Sequence, residues 1–279
     1  MTTISNKVKD RLVAGIKRFQ PILLSAKSRD VNESDTVTIV TDMLGYVFGY
    51  EKYSEITSEY AIRGTFVDLA IKLDGSAKML IEVKAIGSEL KDSFAKQAVD
   101  YAANQGTEWV VLTNGAIWRI YKVAFTKPIA QELVHEIDFL NLNPKNENHL
   151  ESLFLLTKEG IGKSVLGEYH AQRQALSRFF IGALLLSDPI LDVLRKCLRR
   201  VSPDVKVDAE QIKEVLIQEI VKRDVLEGEK AEEAKRKISR SLKCGLRKTT
   251  KEPTETVPKE ELETQTDVSP ECPDITQGT

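Results

Sequence analysis

Residues 65–85, TFVDLAIKLDGSAKMLIEVKA, decide how this chain is read. Two β-rich runs flank Asp74-Gly75, a dipeptide that tolerates positive backbone φ and therefore favours a tight hairpin turn. With the turn centred near Gly75, Asp68 falls opposite Glu82 and Phe66 opposite Lys84. Side chains alternate with period two along a strand, so Asp68, Glu82 and Lys84 share one face of the hairpin. Asp68 interrupts the apolar run TFVDLAI, and Glu82 and Lys84 interrupt MLIEVKA. Strands this apolar are covered on both faces, where charge is costly unless it has a use.

Two carboxylates facing each other repel unless something neutralises them. A hard divalent cation does so, taking oxygen ligands and keeping several waters. Lys84 would then stand beside ion and water, placed to orient an attack on phosphorus or to stabilise the charge that develops. The competing reading is an exposed hairpin with a cross-strand ion pair. The Glu-x-Lys spacing does not separate the two, because Glu89-Leu90-Lys91 and Glu233-Ala234-Lys235 share it. The apolar context of Glu82 and Lys84, with Asp68 opposite, favours a site.

Working outward, residues 4–26 carry Val8, Leu12, Ile16, Phe19 and Leu23 at helical spacing. Asn32 is a suitable N-cap for a second helix with Val37, Val40, Leu44 and Val47 on one face. Glu33, one turn before Val37, is expected on that buried face. It is either a group of the site or a carboxylate favoured by the helix dipole. Downstream, Ser88–Gln105 reads as a helix closed by Gly106, with Leu90, Phe94, Gln97, Ala98 and Tyr101 at helical spacing. WVVLTNGAIWRIYKV, 109–123, reads as two strands about Asn114-Gly115, with Trp109 and Trp118 in the core. Residues 150–225 are helical, broken at Asp188-Pro189 and Ser202-Pro203, with a capping box at Asp208 and Gln211.

The formal net charge is −2, but Thr249–Thr279 holds two Lys against eight Asp or Glu, a net of −6, leaving +4 on the rest. That balance permits a nucleic-acid partner. Three cysteines without a close pair, and three histidines without cysteine spacing, argue against disulfides and zinc. No signal-like apolar run opens the chain, and its longest apolar stretch, Phe179–Leu186, is too short to span a bilayer. The expectation is a cytoplasmic protein that does not use a membrane. Arg63 stands before the first strand as a weak candidate for a phosphate contact, as do the basic residues of 235–248. His135, His149 and His170 show no partner pattern.

The runs NESDTVTIVTDMLGYVFGY, RGTFVDLAIK, IEVKA, KQAVDYA and WVVLTNGAIWRIY, within residues 30–125, together resemble the N-terminal nuclease domain of type I restriction enzyme R subunits. That domain belongs to the PD-(D/E)XK superfamily. The resemblance implies an α/β fold, a mixed central sheet flanked by helices, here with an α-helical C-terminal extension. It assigns Asp68 and Glu82 as ligands of Mg²⁺ or Mn²⁺, Lys84 as the catalytic lysine, and Glu33 as the acidic residue of the first core helix. Gln97 and Tyr101 match the Q-x-x-x-Y element near the DNA. Val67 stands where the superfamily often has Pro, and no G-x-x-x-x-G-K-[ST] loop accompanies the core, so an ATP-driven motor is not expected.

The organisation expected is an N-terminal helix at 1–30, a nuclease core at 31–148, a helical domain or extension at 149–226 and a charged, acidic and disordered tail at 227–279. The function expected is a Mg²⁺-dependent endonuclease cutting DNA in restriction or a related defence. Restriction-system subunits and a second copy of the chain stand as further candidate partners. The alternatives are a non-catalytic DNA-binding or assembly module on the same fold, and a nuclease acting on RNA or single strands.

Overall fold

The computed structural model describes residues 3–62, 65–204 and 206–249. Arg63, Cys272 and the acidic segment from residue 250 onward lie outside the described residues. Two compact units divide between Ser177 and Arg178. The first contains α1 (Asn6–Ser28), α2 (Glu33–Tyr46), β1 (Ile56–Ile62), β2 (Thr65–Leu73), β3 (Ser76–Val83), α3 (Asp92–Gln105), β4 (Trp109–Thr113), β5 (Ile117–Ala124), β6 (Ala130–Asp138), α4 (Glu147–Phe154), α5 (Lys158–Gly162) and α6 (Val165–Ala175).

It is an α/β unit with a mixed six-stranded sheet, ordered β1-β2-β3-β4-β5-β6. Only β3 and β4 run parallel, and α3 makes the crossover between them. All other neighbours are antiparallel, as short connections require. Both faces are covered. Leu69, Ile71, Met79, Ile81, Val83, Val111 and Ile120 pack toward α1 and α2. Ala70, Leu80, Val110, Leu112, Tyr121 and Val123 pack beneath α3. Two-sided burial is why the central strands read as apolar runs rather than as alternating patterns. The α3 face is lined by Ala95, Ala98, Val99 and Ala102, small side chains that let the helix lie close.

On the other face α1 buries Val8, Leu12, Ile16, Phe19, Leu23 and Ala26, the stripe its spacing predicts. It meets the end of α2 at Gly15, where a Cβ would lie 2.8 Å from Val47 Cγ2. Asn32 caps α2 by accepting from the Asp35 N–H, as expected. The buried face of α2 is Thr36, Val40, Thr41, Met43 and Leu44, so the stripe is rotated from the one expected and Val37 is only half-buried.

The Asp74-Gly75 turn has φ of 52° and 74°, the paired positive values of a tight hairpin. Such a turn, pairing Leu73 with Ser76, would by itself set Asp68 opposite Ile81. A register shift between Ile71 and Lys72 inserts one residue, so Leu69 pairs with Ile81 and Asp68 comes level with Glu82. A bulge thus sets the two carboxylates on one face.

The second hairpin differs from its expected turn. Asn114 N–H donates to the Ile117 carbonyl, making Gly115-Ala116, not Asn114-Gly115, the central pair. The Asn114 side chain accepts from the N–H groups of Ala116 and Ile117, which draws Asn114 into the turn's frame. The expected order of helix, helix, hairpin, helix, hairpin stands, with β1 and β6 added at the sheet edges.

The second unit contains α7 (Arg178–Leu185), α8 (Asp188–Val201), α9 (Ala209–Val215), α10 (Arg223–Leu226) and α11 (Glu229–Thr249). Its core is small, centred on Leu191, Ile212 and Leu216. Asp208 and Gln211 form the expected capping box on α9. No helix among the described residues is long and apolar enough to cross a membrane.

Candidate active site

The carboxyl end of β3 carries the charged cluster. Asp68 and Glu82 are level across the β2–β3 hairpin, and Lys84 follows on the same face. Lys84 N–H donates to the Thr113 carbonyl at 2.8 Å, extending the parallel ladder one residue beyond β3. Ligands of open α/β sheets gather outside the carboxyl ends of parallel strands, where the crossover helix and the loops leave room.

Lys84 Nζ lies 2.9 Å from Glu82 Oε1 and 3.5 Å from each carboxylate oxygen of Glu33. Glu33 reaches it from the first turn of α2. Half-exposed, it faces this cluster and not the buried stripe expected of it. The reason is local. Thr36, one turn further along α2, accepts from the Ile86 N–H through its hydroxyl and ties the segment after β3 to this helix. That contact holds the start of α2 over Lys84. From the opposite side Asn114 Nδ2 donates to the carbonyls of Ile86 and Ser88. The segment after Lys84 is therefore held as a connection, and α3 begins at Asp92 and not at Ser88 as expected. Its start is fixed by Tyr121, whose hydroxyl donates to Asp92, and by Arg119, which donates to the Leu90 carbonyl. Thr36 and Asn114 are site-building residues that sequence reasoning missed.

The electrostatics follow from this geometry. Asp68 accepts from the Val83 N–H at 2.7 Å. Burial still holds its carboxyl above the ordinary range, and the Glu33 charge adds to the effect, against the Val83 bond and Lys84. Glu82 is 8% exposed, and burial raises it too, with the charges of Asp68 and Glu33 acting in the same direction. Burial works against the Lys84 ammonium, but the bond to Glu82 and the charges of Glu33 and Asp68 outweigh it and keep the group charged. Two carboxyl groups thus pair with one ammonium and Asp68 adds a third charge nearby, an arrangement with surplus negative charge in a half-buried setting.

That surplus is the observation by which a metal can be judged. Asp68 uses Oδ2 on Val83 and Glu82 uses Oε1 on Lys84. Oδ1 of Asp68 and Oε2 of Glu82 remain as hard oxygen donors. Among the described residues no three His, Cys, Asp or Glu side chains form a ready metal cage. A Mg²⁺-type ion needs fewer, because it is bound through one or two carboxylates and keeps several waters. The donor set fits such an ion.

Gln97 and Tyr101 are joined to each other, Gln97 Nε2 donating to the Tyr101 hydroxyl at 2.7 Å. They share the α3 face of Phe94, whose ring lies 6.0 Å below Lys84 Nζ. Among the described contacts neither residue is hydrogen-bonded to Asp68, Glu82 or Lys84. The structure thus brings Asp68, Glu82, Lys84 and Glu33 together and sets Gln97 and Tyr101 along the adjoining helix. A cavity of about 270 Å³, lined by Ile4, Phe154, Leu155, Val165 and Tyr169 among others, includes none of these residues. No known protein family, curated protein or solved structure matches this chain.

Proposed function

We propose that the chain is a metal-dependent phosphodiester hydrolase acting on DNA, with a PD-(D/E)XK-type core like that of type I restriction enzyme R subunits. The reading is carried by one observation. A charged lysine is clasped by Glu82 and Glu33 beside Asp68, at the carboxyl end of a parallel strand pair. A structural ion pair would need one carboxylate, and here Glu82 and Glu33 both contact one ammonium while the charge of Asp68 acts on it as well.

Asp68 and Glu82 would hold Mg²⁺ or Mn²⁺. When bound, such an ion supplies Lewis-acid polarisation of a phosphoryl oxygen and a more acidic water. Lys84 donates hydrogen bonds to the attacking water or to a non-bridging phosphate oxygen, where negative charge grows in the transition state. Glu33 holds the Lys84 ammonium together with Glu82 and limits its travel. Asp68, fixed by the Val83 N–H, stays in register with Glu82 without an added ordering cost.

The test is digestion of duplex DNA, single-stranded DNA and RNA side by side, with Mg²⁺ or Mn²⁺, joined to calorimetry with Mn²⁺. The proposal expects DNA cleavage, and Mn²⁺ binding that weakens at least about tenfold in Asp68→Ala. RNA cleavage alone would keep the chemistry and change the substrate. Absence of both cleavage and Mn²⁺ binding would support a non-catalytic DNA-binding module instead.

A further inference from the structure

Residues 1–177 carry 21 Lys or Arg against 22 Asp or Glu, a net of −1, whereas residues 178–249 carry 17 against 12, a net of +5. The unit with the carboxylate site therefore offers a polyanion no net attraction, and the site itself presents carboxylates. A phosphodiesterase still has to gather a backbone charged at every nucleotide, an attraction supplied by Lys and Arg.

The cations of the second unit concentrate in α11. Between Lys235 and Lys248, Lys or Arg stands at 235, 236, 237, 240, 243, 247 and 248, with no Asp or Glu. Compensation of the helix dipole explains acidic residues at the start of α11 and basic ones in its last turn. It does not explain cations spread over about four turns. Lys235 and Lys237 pair with Glu232 and Glu233 at 2.8 Å, and both acids belong to the start of the helix. Arg236 and Arg240 are exposed and share one face at i and i+4.

The opposite face is taken. Ala231 and Ala234 are buried, Ile238 and Leu242 are half-buried, and α11 packs on α7. Between Glu229 and Leu242 of α11 no large apolar side chain is exposed. A helix that lies on a membrane needs its apolar face free for lipid. What α11 presents is cationic and wet, the chemistry of phosphate contact rather than of lipid insertion.

We propose that the basic half of α11 is a nucleic-acid-binding surface, holding the phosphate backbone without reading bases. The inference rests on the nuclease reading only for the choice of partner. Contacts of this kind set affinity and its salt dependence and carry no sequence information.

The experiment is fluorescence anisotropy of the full chain with a short labelled DNA duplex, in EDTA to prevent cleavage, across about 50–200 mM salt. For Arg236→Glu/Arg240→Glu the slope of log affinity against log salt falls by about two, and affinity falls at least about tenfold. The buried face of α11 is untouched, and the unfolding temperature checks the fold. Should charge reversal disturb it, Arg236→Gln/Arg240→Gln gives the same readout. Arg199→Glu/Arg200→Glu on α8 removes equal charge from the same unit and is expected to change the slope less.

Unchanged binding in the α11 variant would overturn the proposal. So would an equal loss from the α8 pair, which would reveal net charge and no particular surface. Preference for anionic phospholipid vesicles over nucleic acid would overturn it as well. RNA and single-stranded arms of the same length identify which phosphate backbone is held. Because no metal is present, failure here is separable from failure of the cleavage reading, which depends on Lys84.

Discussion

At the residue scale the charged cluster works against the stability of the fold. Burial raises the carboxyls of Asp68 and Glu82, with the Glu33 charge adding to both and the Asp68 charge to Glu82, so ionising them at neutral pH opposes folding. The sign is that of a raised acid: the stabilising protonated form is lost as pH rises through the folded-state value. Asp68→Asn keeps an oxygen for the Val83 N–H and removes one charge. It should abolish cleavage yet raise Tm by roughly 2 °C without metal, as read by calorimetry; a lower Tm would contradict the electrostatic account. His135 provides an independent titration. Burial, and then the neighbouring Arg173, lower its pKa, with Glu136 acting in the opposite direction. Its ring accepts no proton readily in the fold, Nδ1 meeting the Tyr169 hydroxyl at 3.1 Å while Nε2 is buried with no hydrogen-bond partner among the described residues. The unfolded chain binds the proton near pH 6.5 and the folded chain resists it. Stability from this group is therefore complete above about 6.5 and declines as pH falls below it. Denaturant titrations from pH 7.5 to 5 should show a shallower decline in His135→Phe than in the parent. Equal slopes would mean that His135 titrates alike in both states.

At the element scale the site depends on connections more than on strands. Asn114 bonds the carbonyls of Ile86 and Ser88 and the N–H groups of Ala116 and Ile117, so one side chain joins the segment after Lys84 to the β4–β5 turn. Asn114→Ala leaves these groups in a buried place without partners. It should cost about 2 kcal/mol, a Tm fall of roughly 4–8 °C, and lower the cleavage rate as Lys84 loses its fixed position. A Tm change with no change in rate would separate the connection from the site. The same elements show what could be read beforehand. Glu82 and Lys84 stood out because charge inside MLIEVKA has no ordinary place in a covered strand. The bulge, where the register skips Lys78 of β3 opposite Ile71 and Lys72, did not, since no residue there is diagnostic and the expected level pairing rested on the assumed turn centre. Thr36 and Asn114 were equally silent, because a threonine in a helix and an asparagine in a turn are common for local reasons. β6 was hidden by its edge position, where Glu132, Leu133 and Glu136 are exposed and blur the alternation.

At the scale of the whole molecule the two units differ in how much holds them. The sheet unit has apolar layers on both sheet faces, whereas the helical unit centres on three buried apolar residues. Local stability follows the buried core. Amide exchange should therefore be faster in α8 and α9 than in β3 and β4. Slower exchange in the helical unit would show that it draws stability from contacts beyond its own core. Charge is divided unevenly, −1 on residues 1–177, +5 on residues 178–249 and −6 on residues 250–279, and in the proposed reading chemistry and capture fall to different segments. Chemistry remains the central claim, and it converges on one ammonium. The most direct measurement compares duplex DNA cleavage by the parent chain and by Lys84→Ala, with Mg²⁺, at matched unfolding temperature. Metal-dependent cleavage by the parent is expected, with a loss of at least about a hundredfold in the variant, the scale on which single charge-stabilising groups act. Equal cleavage by the two proteins would contradict it.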